Sequence, residues 1–216
     1  MKIYKFPNGP IEANMYVLET PEACVIIDPC VSLSFLPAFT SPFRAVLITH
    51  CHYDHINRME EIRDALHIPV YAHRLEFPSF GDPALSGAAF FMSDEEFSRP
   101  DQEIRTDVPM DMGEGVRLDF LHTPGHTMGS VCILVTVNGR QRAVFTGDTL
   151  FNGSAGRTDL GGNPAMLHQS LHTLSLLDDD VVVYSGHGPD STIGEEKTGN
   201  PFMRRYAGRR NDGTVM

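Results

Sequence analysis

Four groups able to bind a metal crowd into the six residues His50-Cys51-His52-Tyr53-Asp54-His55. Three more lie far downstream, each beside a glycine or another small residue. They are His126 in Thr123-Pro124-Gly125-His126-Thr127, Asp148 in Thr146-Gly147-Asp148-Thr149, and His187 in Ser185-Gly186-His187-Gly188. Imidazole nitrogen and carboxylate oxygen suit Zn²⁺ and Fe²⁺, and a set without thiolate points away from a purely structural zinc. Side chains two residues apart can reach one ion, whereas adjacent Asp54 and His55 diverge toward a second. One carboxylate can bridge two cations about 3.5–4 Å apart, the spacing of two-metal hydrolytic sites. Two divalent cations offset by two aspartates and a shared hydroxide leave roughly one positive charge, which suits a substrate that develops an oxyanion. The plain alternative is a histidine-rich loop with unrelated histidines in turns. Four separate segments, each following a predicted strand, argue against it.

Such convergence needs strands that end at a common edge. Residues 16–18 and 24–28 read as two early strands around a Thr20-Pro21-Glu22 turn. Residues 45–49 form a continuous apolar run, as in a strand covered on both faces, and it stops at the histidine-rich segment. Ile56, Met59, Ile62 and Leu66 then recur at helical intervals, closing near Ile68-Pro69, and residues 70–73 resume a strand. Further strands are predicted over 116–121, 131–137, 142–146 and 181–184. Asn138-Gly139 supplies a hairpin turn between the second and third of these. Pro164 opens a second amphipathic helix with Met166, Leu167, Leu171, Leu174 and Leu177. Residues 74–107 carry Pro78, Gly81, Pro83, Gly87 and Pro100 without a clean period. They read as a lid or binding loop, with a short helix through 94–97. Strands and helices interleaved in this way predict a layered α/β domain with sheets inside and helices outside.

With 216 residues and 41% hydrophobic content, the chain is long enough for one good-sized domain. Pro7, Asn8, Gly9 and Pro10 interrupt the N-terminus, and no run approaches the ~20 apolar residues that cross a bilayer. A cytoplasmic protein with no membrane partner is expected. The formal charge of −11 disfavours nucleic acid as a partner. The one basic cluster, Arg204, Arg205, Arg209 and Arg210, reads as a solvated tail. Cys24, Cys30, Cys51 and Cys132 are scattered, which suggests buried thiols in a reducing compartment. His67, His168 and His172 read as surface histidines, and His73 and His122 as bystanders near the site.

The pattern His50-x-His52-x-Asp54-His55, then His126, Asp148 and His187, resembles the metallo-β-lactamase superfamily. The resemblance implies an αββα sandwich of two mixed β-sheets flanked by helices, with the site at one edge of the sheets. By motif position, His50, His52 and His126 would hold a first metal. Asp54, His55 and His187 would hold a second, Asp148 would bridge, and Asp54 would orient the attacking hydroxide. Thr123-Pro124-Gly125-His126-Thr127-x-Gly129-Ser130 and Gly147-Asp148-Thr149-Leu150-Phe151 are similar to glyoxalase-II-type thioesterases. The stretch GDTLFNGSAGRTDL, with Gly186-His187-Gly188-Pro189, Thr192-Ile193-Gly194-Glu195-Glu196 and Asn200-Pro201-Phe202, is similar to the small YcbL-type members. The larger glyoxalase II enzymes add a C-terminal helical domain that grips glutathione. Too little chain follows His187 for one, so a single domain over residues 1–216 is expected.

The implied activity is hydrolysis of a small-molecule thioester such as S-lactoylglutathione. The implied cofactor is two divalent ions, zinc first and iron or manganese as alternatives. Arg157 would either meet a substrate carboxylate or pin its own loop through a salt bridge. A rival resemblance, through Thr49-His50-Cys51-His52 and Gly156-Arg157-Thr158-Asp159, is to persulfide dioxygenases that hold one Fe²⁺ at positions matching His50, His126 and Asp148. Lactone hydrolysis would use the same hydroxide.

Overall fold

The computed structural model describes residues 1–206; Arg209 and Arg210 of the predicted basic tail lie outside them. One six-stranded sheet runs in chain order: β1 (Lys2–Phe6), β2 (Met15–Glu19), β3 (Cys24–Ile27), β4 (Phe43–Leu47), β5 (Val70–Ala72) and β6 (Gln102–Glu103). The first three are antiparallel, and β3 to β6 are parallel. The second sheet contains β7 (Met110–Asp111), β8 (Val116–His122), β9 (Val131–Val137) and β10 (Arg140–Gly147). A small hairpin, β11 (Leu150–Phe151) with β12 (Ser154–Ala155), leads on to β13 (Val182–Ser185) and β14 (Ser191–Thr192). The order across the second sheet is β14-β13-β10-β9-β8-β7, antiparallel except for the β10–β13 pair.

The layers follow from side-chain alternation along the strands. On β2, Tyr16 and Leu18 face the second sheet and join Val25, Ile27, Leu47, Leu118, Phe120, Ile133, Val135 and Phe145 in the inter-sheet core. Met15 and Val17 point the other way, into a cluster with Ile26, Val46, Ile56, Met59, Ile62 and Phe80. The last four belong to α1 (Tyr53–Ile56), α2 (Met59–Leu66) and α3 (Phe77–Phe80). The outer face of the second sheet buries Leu134, Val144 and Val183 against Leu167, Leu171 and Leu174 of α4 (Pro164–Ser175) and Ile193 of α5 (Ile193–Gly199). Every strand of the first sheet's centre is buried on both sides, which is why 45–49 reads as unbroken apolar sequence. The result is the expected αββα sandwich.

The Asn138-Gly139 turn has positive φ at both residues (51° and 78°), the geometry that matches a two-residue hairpin to strand twist. Asn163 caps α4 by accepting from the amides of Ala165 and Met166, and Pro164 sits where its missing N–H costs nothing. Four details depart from the sequence reading. The helix expected over 56–66 is two pieces, α1 and α2. No helix forms at 94–97: Asp94, Glu95 and Glu96 are exposed, and Phe97 alone turns inward, its amide bonding the Phe80 carbonyl at 2.7 Å. Three successive acids leave too little apolar surface to hold a turn of helix. Strands β1, β6, β7, β11, β12 and β14 and helices α3 and α5 are not foreseen by the sequence reading, α3 and β6 falling inside the segment expected to be a lid or binding loop, although the Thr192/Glu195 capping box announces α5. His168 and His172 are half-buried rather than on the surface, beneath Arg205 and the Tyr206 ring; His67 is exposed as expected. Among the described residues, no helix is long and apolar enough to cross a membrane.

Candidate metal centre

The two sheets are tied together at the edge where β4, β8, β10 and β13 end. The Val131 amide bonds the Thr49 carbonyl at 2.9 Å, and the Asn14 amide bonds the Gly186 carbonyl at 2.7 Å. Ala13, just before β2, forms an isolated bridge with His187. All seven predicted ligand residues meet there. His50, His52 and His126 offer nitrogens within 4.8 Å of one another, and Asp54, His55 and His187 form a second such group. Asp148 touches both groups. Its Oδ2 lies 3.9 Å from His50 Nε2, 3.5 Å from His126 Nε2 and 3.6 Å from His187 Nε2, while Oδ1 lies 3.3 Å from His55 Nε2. Gly186 is required by this crowding, because a methyl group there would enter the Asp148 carboxylate.

The outward-facing ring nitrogens are committed, and their partners set the tautomers. Thr49 donates its hydroxyl proton to Asp28 Oδ2 at 2.6 Å, so its oxygen accepts from His50 Nδ1 at 3.0 Å. His55 Nδ1 donates to the same Asp28 oxygen at 3.2 Å, and His126 Nδ1 donates to the Arg157 carbonyl at 2.8 Å. Each of these three histidines therefore turns its Nε2 toward the centre. Asp28 itself sits at φ 54°, just past β3, where its carboxylate meets the Thr49 amide at 2.7 Å from the paired strand β4.

These residues fit a divalent cation on three counts. His50 Nε2 is buried and has no hydrogen-bond partner among the described residues, a costly orphan unless a cation takes its lone pair. His126 Nε2 faces His52 Nδ1 at 2.8 Å, and His55 Nε2 faces His187 Nε2 at 3.2 Å, so nitrogens from separate loops converge on common points. The electrostatics agree. Burial drives His50 well below its usual range and His52 down to about 4, keeping both rings neutral and able to ligate. Burial opposes charge on His55 as well, but the carboxylates of Asp148 and Asp54 outweigh it and hold its pKa well above the usual range. Burial raises Asp148 and Asp54 too, yet His55 outweighs it and keeps both carboxyls below theirs. The field that draws a proton to His55 draws a cation to the same place.

With this geometry in place, the comparisons are decisive for the family. The sequence profile of the metallo-beta-lactamase superfamily matches residues 8–187. The chain belongs to that superfamily. Its relatives include the probable metallo-hydrolase YqgX of Bacillus subtilis, 37% identical over 96% of this chain and 100% of that protein. The hydroxyacylglutathione hydrolase GloC of Haemophilus influenzae is 31% identical over 74% of this chain and 76% of its own length. Among solved structures, BLEG-1 B3 metallo-beta-lactamase superposes with a TM-score of 0.83 at 35% identity, covering 94% of this chain and 99% of its own. TTHA1623, solved in a di-iron-bound form, gives 0.79 at 33%, covering 92% and 99%. The relative named as a probable metallo-hydrolase supports a metal-dependent hydrolase, and the histidine and aspartate cluster fits a divalent-metal site.

The other residues singled out in the sequence fall into place around that site. The Arg157 guanidinium is exposed and forks onto Asp159 with two 2.6 Å bonds, while its backbone carbonyl is what orients His126. His73 and His122 stack on each other with ring centroids 4.4 Å apart and belong to neither ligand group. Cys51 is buried, and burial, followed by the charge of Glu76, pushes its thiol well above the usual range, so it is an unreactive neighbour of the ligands. Sequence reading missed Asp28, Thr49 and the Arg157 carbonyl. The only available signal was that Asp28 ends one predicted strand and Thr49 ends another.

Proposed function

We propose that this superfamily member is a thioesterase of glyoxalase II type, cleaving S-acylglutathione or a related small-molecule thioester. The observation that supports it best is the position of the Asp148 carboxylate between two complete ligand triads, as a two-ion hydrolytic site requires. In this reading His50, His52 and His126 would hold one ion, Asp54, His55 and His187 would hold the other, and Asp148 would serve both. Zinc is the expected metal, and the di-iron form of TTHA1623 makes iron the first alternative. Bound there, the pair supplies a water ionised at neutral pH and a Lewis acid for the carbonyl oxygen.

The chain's own residues then have limited work. Asp54 Oδ2, 3.1 Å from His187 Nε2 and 3.5 Å from His55 Nε2, is placed to accept a proton from the nucleophile and hold its direction. A thiolate leaves without protonation, so no separate general acid is needed, and none is evident among the side chains that converge here. The thioester reading draws on the GDTLF and TPGHT motifs and on the relative named hydroxyacylglutathione hydrolase. A second reading, β-lactam hydrolysis, is favoured by the likeness to BLEG-1. A substrate panel at equal metal load tests both: S-lactoylglutathione, an acyl-homoserine lactone and nitrocefin. The proposal expects the highest kcat/KM on the thioester. A higher value on nitrocefin or the lactone would replace it.

A further inference from the structure

Glu76 is 2% exposed, carries no ion pair among the described residues, and ends the turn Arg74–Glu76 in the segment expected to be a lid or binding loop. Its two oxygens are nevertheless both spoken for. Oε2 accepts the Cys51 amide at 2.8 Å and Oε1 accepts the Gly129 amide at 2.7 Å, lengths typical of charge-assisted bonds. Cys51 lies between His50 and His52. Gly129 closes the turn that begins at His126, a turn braced internally by the Thr127 and Ser130 hydroxyls at 2.7 Å. A side chain at position 129 would run into the Glu76 carboxylate, so glycine is what lets the two approach. One carboxylate thus grips both loops that deliver the nitrogens of the first triad.

Burying a carboxylate is costly unless its oxygens are hydrogen-bonded. The two amide bonds are the compensation visible here, and they link exactly two backbone segments: one bearing His50 and His52, the other following His126. We infer that Glu76 is a positioning residue that sets the separation of the His50/His52 loop from the His126 loop and so tunes metal affinity at that triad. The inference rests on the metal-site reading above. It also gives the 74–107 segment a role, since the turn before α3 is anchored to both metal-binding loops through this side chain.

The test is zinc affinity of the full chain, measured by chelator competition, together with the visible spectrum of the cobalt-substituted protein. Wild type is measured first: failure to bind zinc would sink the metal reading itself, before any variant is considered. Glu76→Gln keeps the shape but offers one acceptor and one donor, leaving an amide facing an NH₂ group. It is expected to weaken the zinc affinity by about 10–100-fold, alter the cobalt spectrum, and recover kcat at excess zinc. Glu19→Gln removes a buried carboxylate at the far end of β2 and controls for general loss of stability; its zinc affinity should match wild type. Should Glu76→Gln fail to fold, Gly129→Ala displaces the carboxylate while retaining it, and the same drop is expected. Wild-type zinc affinity and cobalt spectrum in either folded variant, or an equal loss in Glu19→Gln, would overturn the inference.

Discussion

Asp28 Oδ2 lies 3.2 Å from His55 Nδ1 and also takes the Thr49 hydroxyl, whose oxygen faces His50 Nδ1. One aspartate that is outside both ligand triads as assigned therefore fixes the tautomers of two ligands, one in each triad. Asp28→Asn can present an NH₂ group to either ring and reverse its tautomer. The variant is expected to bind zinc about 10–100-fold more weakly than wild type. Chelator competition measures this, and an unchanged affinity would show that the rings find their orientation without Asp28.

Ligand removal separates the two triads. His126→Ala should abolish most thioesterase activity while leaving the far-ultraviolet circular dichroism intact, because the side chain packs at the sheet edge rather than in the core. Asp54→Asn should retain metal at the His50/His52/His126 triad and depress kcat instead. Metal content of the two variants, measured beside their rates, distinguishes these outcomes.

Arg157 contributes to the centre through its carbonyl, which any residue supplies. Its guanidinium is paired with Asp159 in solvent, and exposed pairs contribute about 0–1 kcal/mol. Arg157→Ala should accordingly lower Tm slightly and leave the KM for S-lactoylglutathione within about twofold of wild type. A large rise in KM at constant kcat would instead assign the guanidinium to the substrate's carboxylate.

Away from the site, Glu19 ties β2 to β1 and to the loop before β4. It accepts the Thr40 hydroxyl and the Tyr4 hydroxyl, both at 2.8 Å, together with the Thr40 amide at 2.9 Å, and these bonds hold its carboxyl at about 2. A folded pKa below the unfolded value of about 4.3 means the stabilisation is complete above the latter and lost as pH falls toward the former. Glu19→Gln should lower Tm at pH 7 and lose less than wild type between pH 5 and pH 2. Parallel melting curves over that range would contradict the assignment.

Much of this arrangement was legible in the sequence, for identifiable reasons. The His50–His55 motif concentrates its ligands locally, and the apolar runs before His50, Asp148 and His187 mark strands whose ends must converge. Asp28, Glu76 and the Arg157 carbonyl were not legible. A lone carboxylate after a strand or in an irregular loop has no periodicity, and a backbone carbonyl has no residue signature at all. Their roles arise from pairings between distant segments: β3 beside β4, the turn before α3 beside two ligand loops, and the Arg157 loop beside His126. The stretch 94–97 misled because charge next to a single phenylalanine imitates one turn of an amphipathic helix, when the phenylalanine was only a plug beneath α3.

The central claim is a two-ion hydrolytic site, and its most direct test is the metal content of the purified full chain, read together with its rate on S-lactoylglutathione. About two divalent ions per chain are expected, with hydrolysis lost on chelation and regained when the ions are restored. A single iron per chain, no thioester cleavage, and oxygen uptake on glutathione persulfide would contradict it.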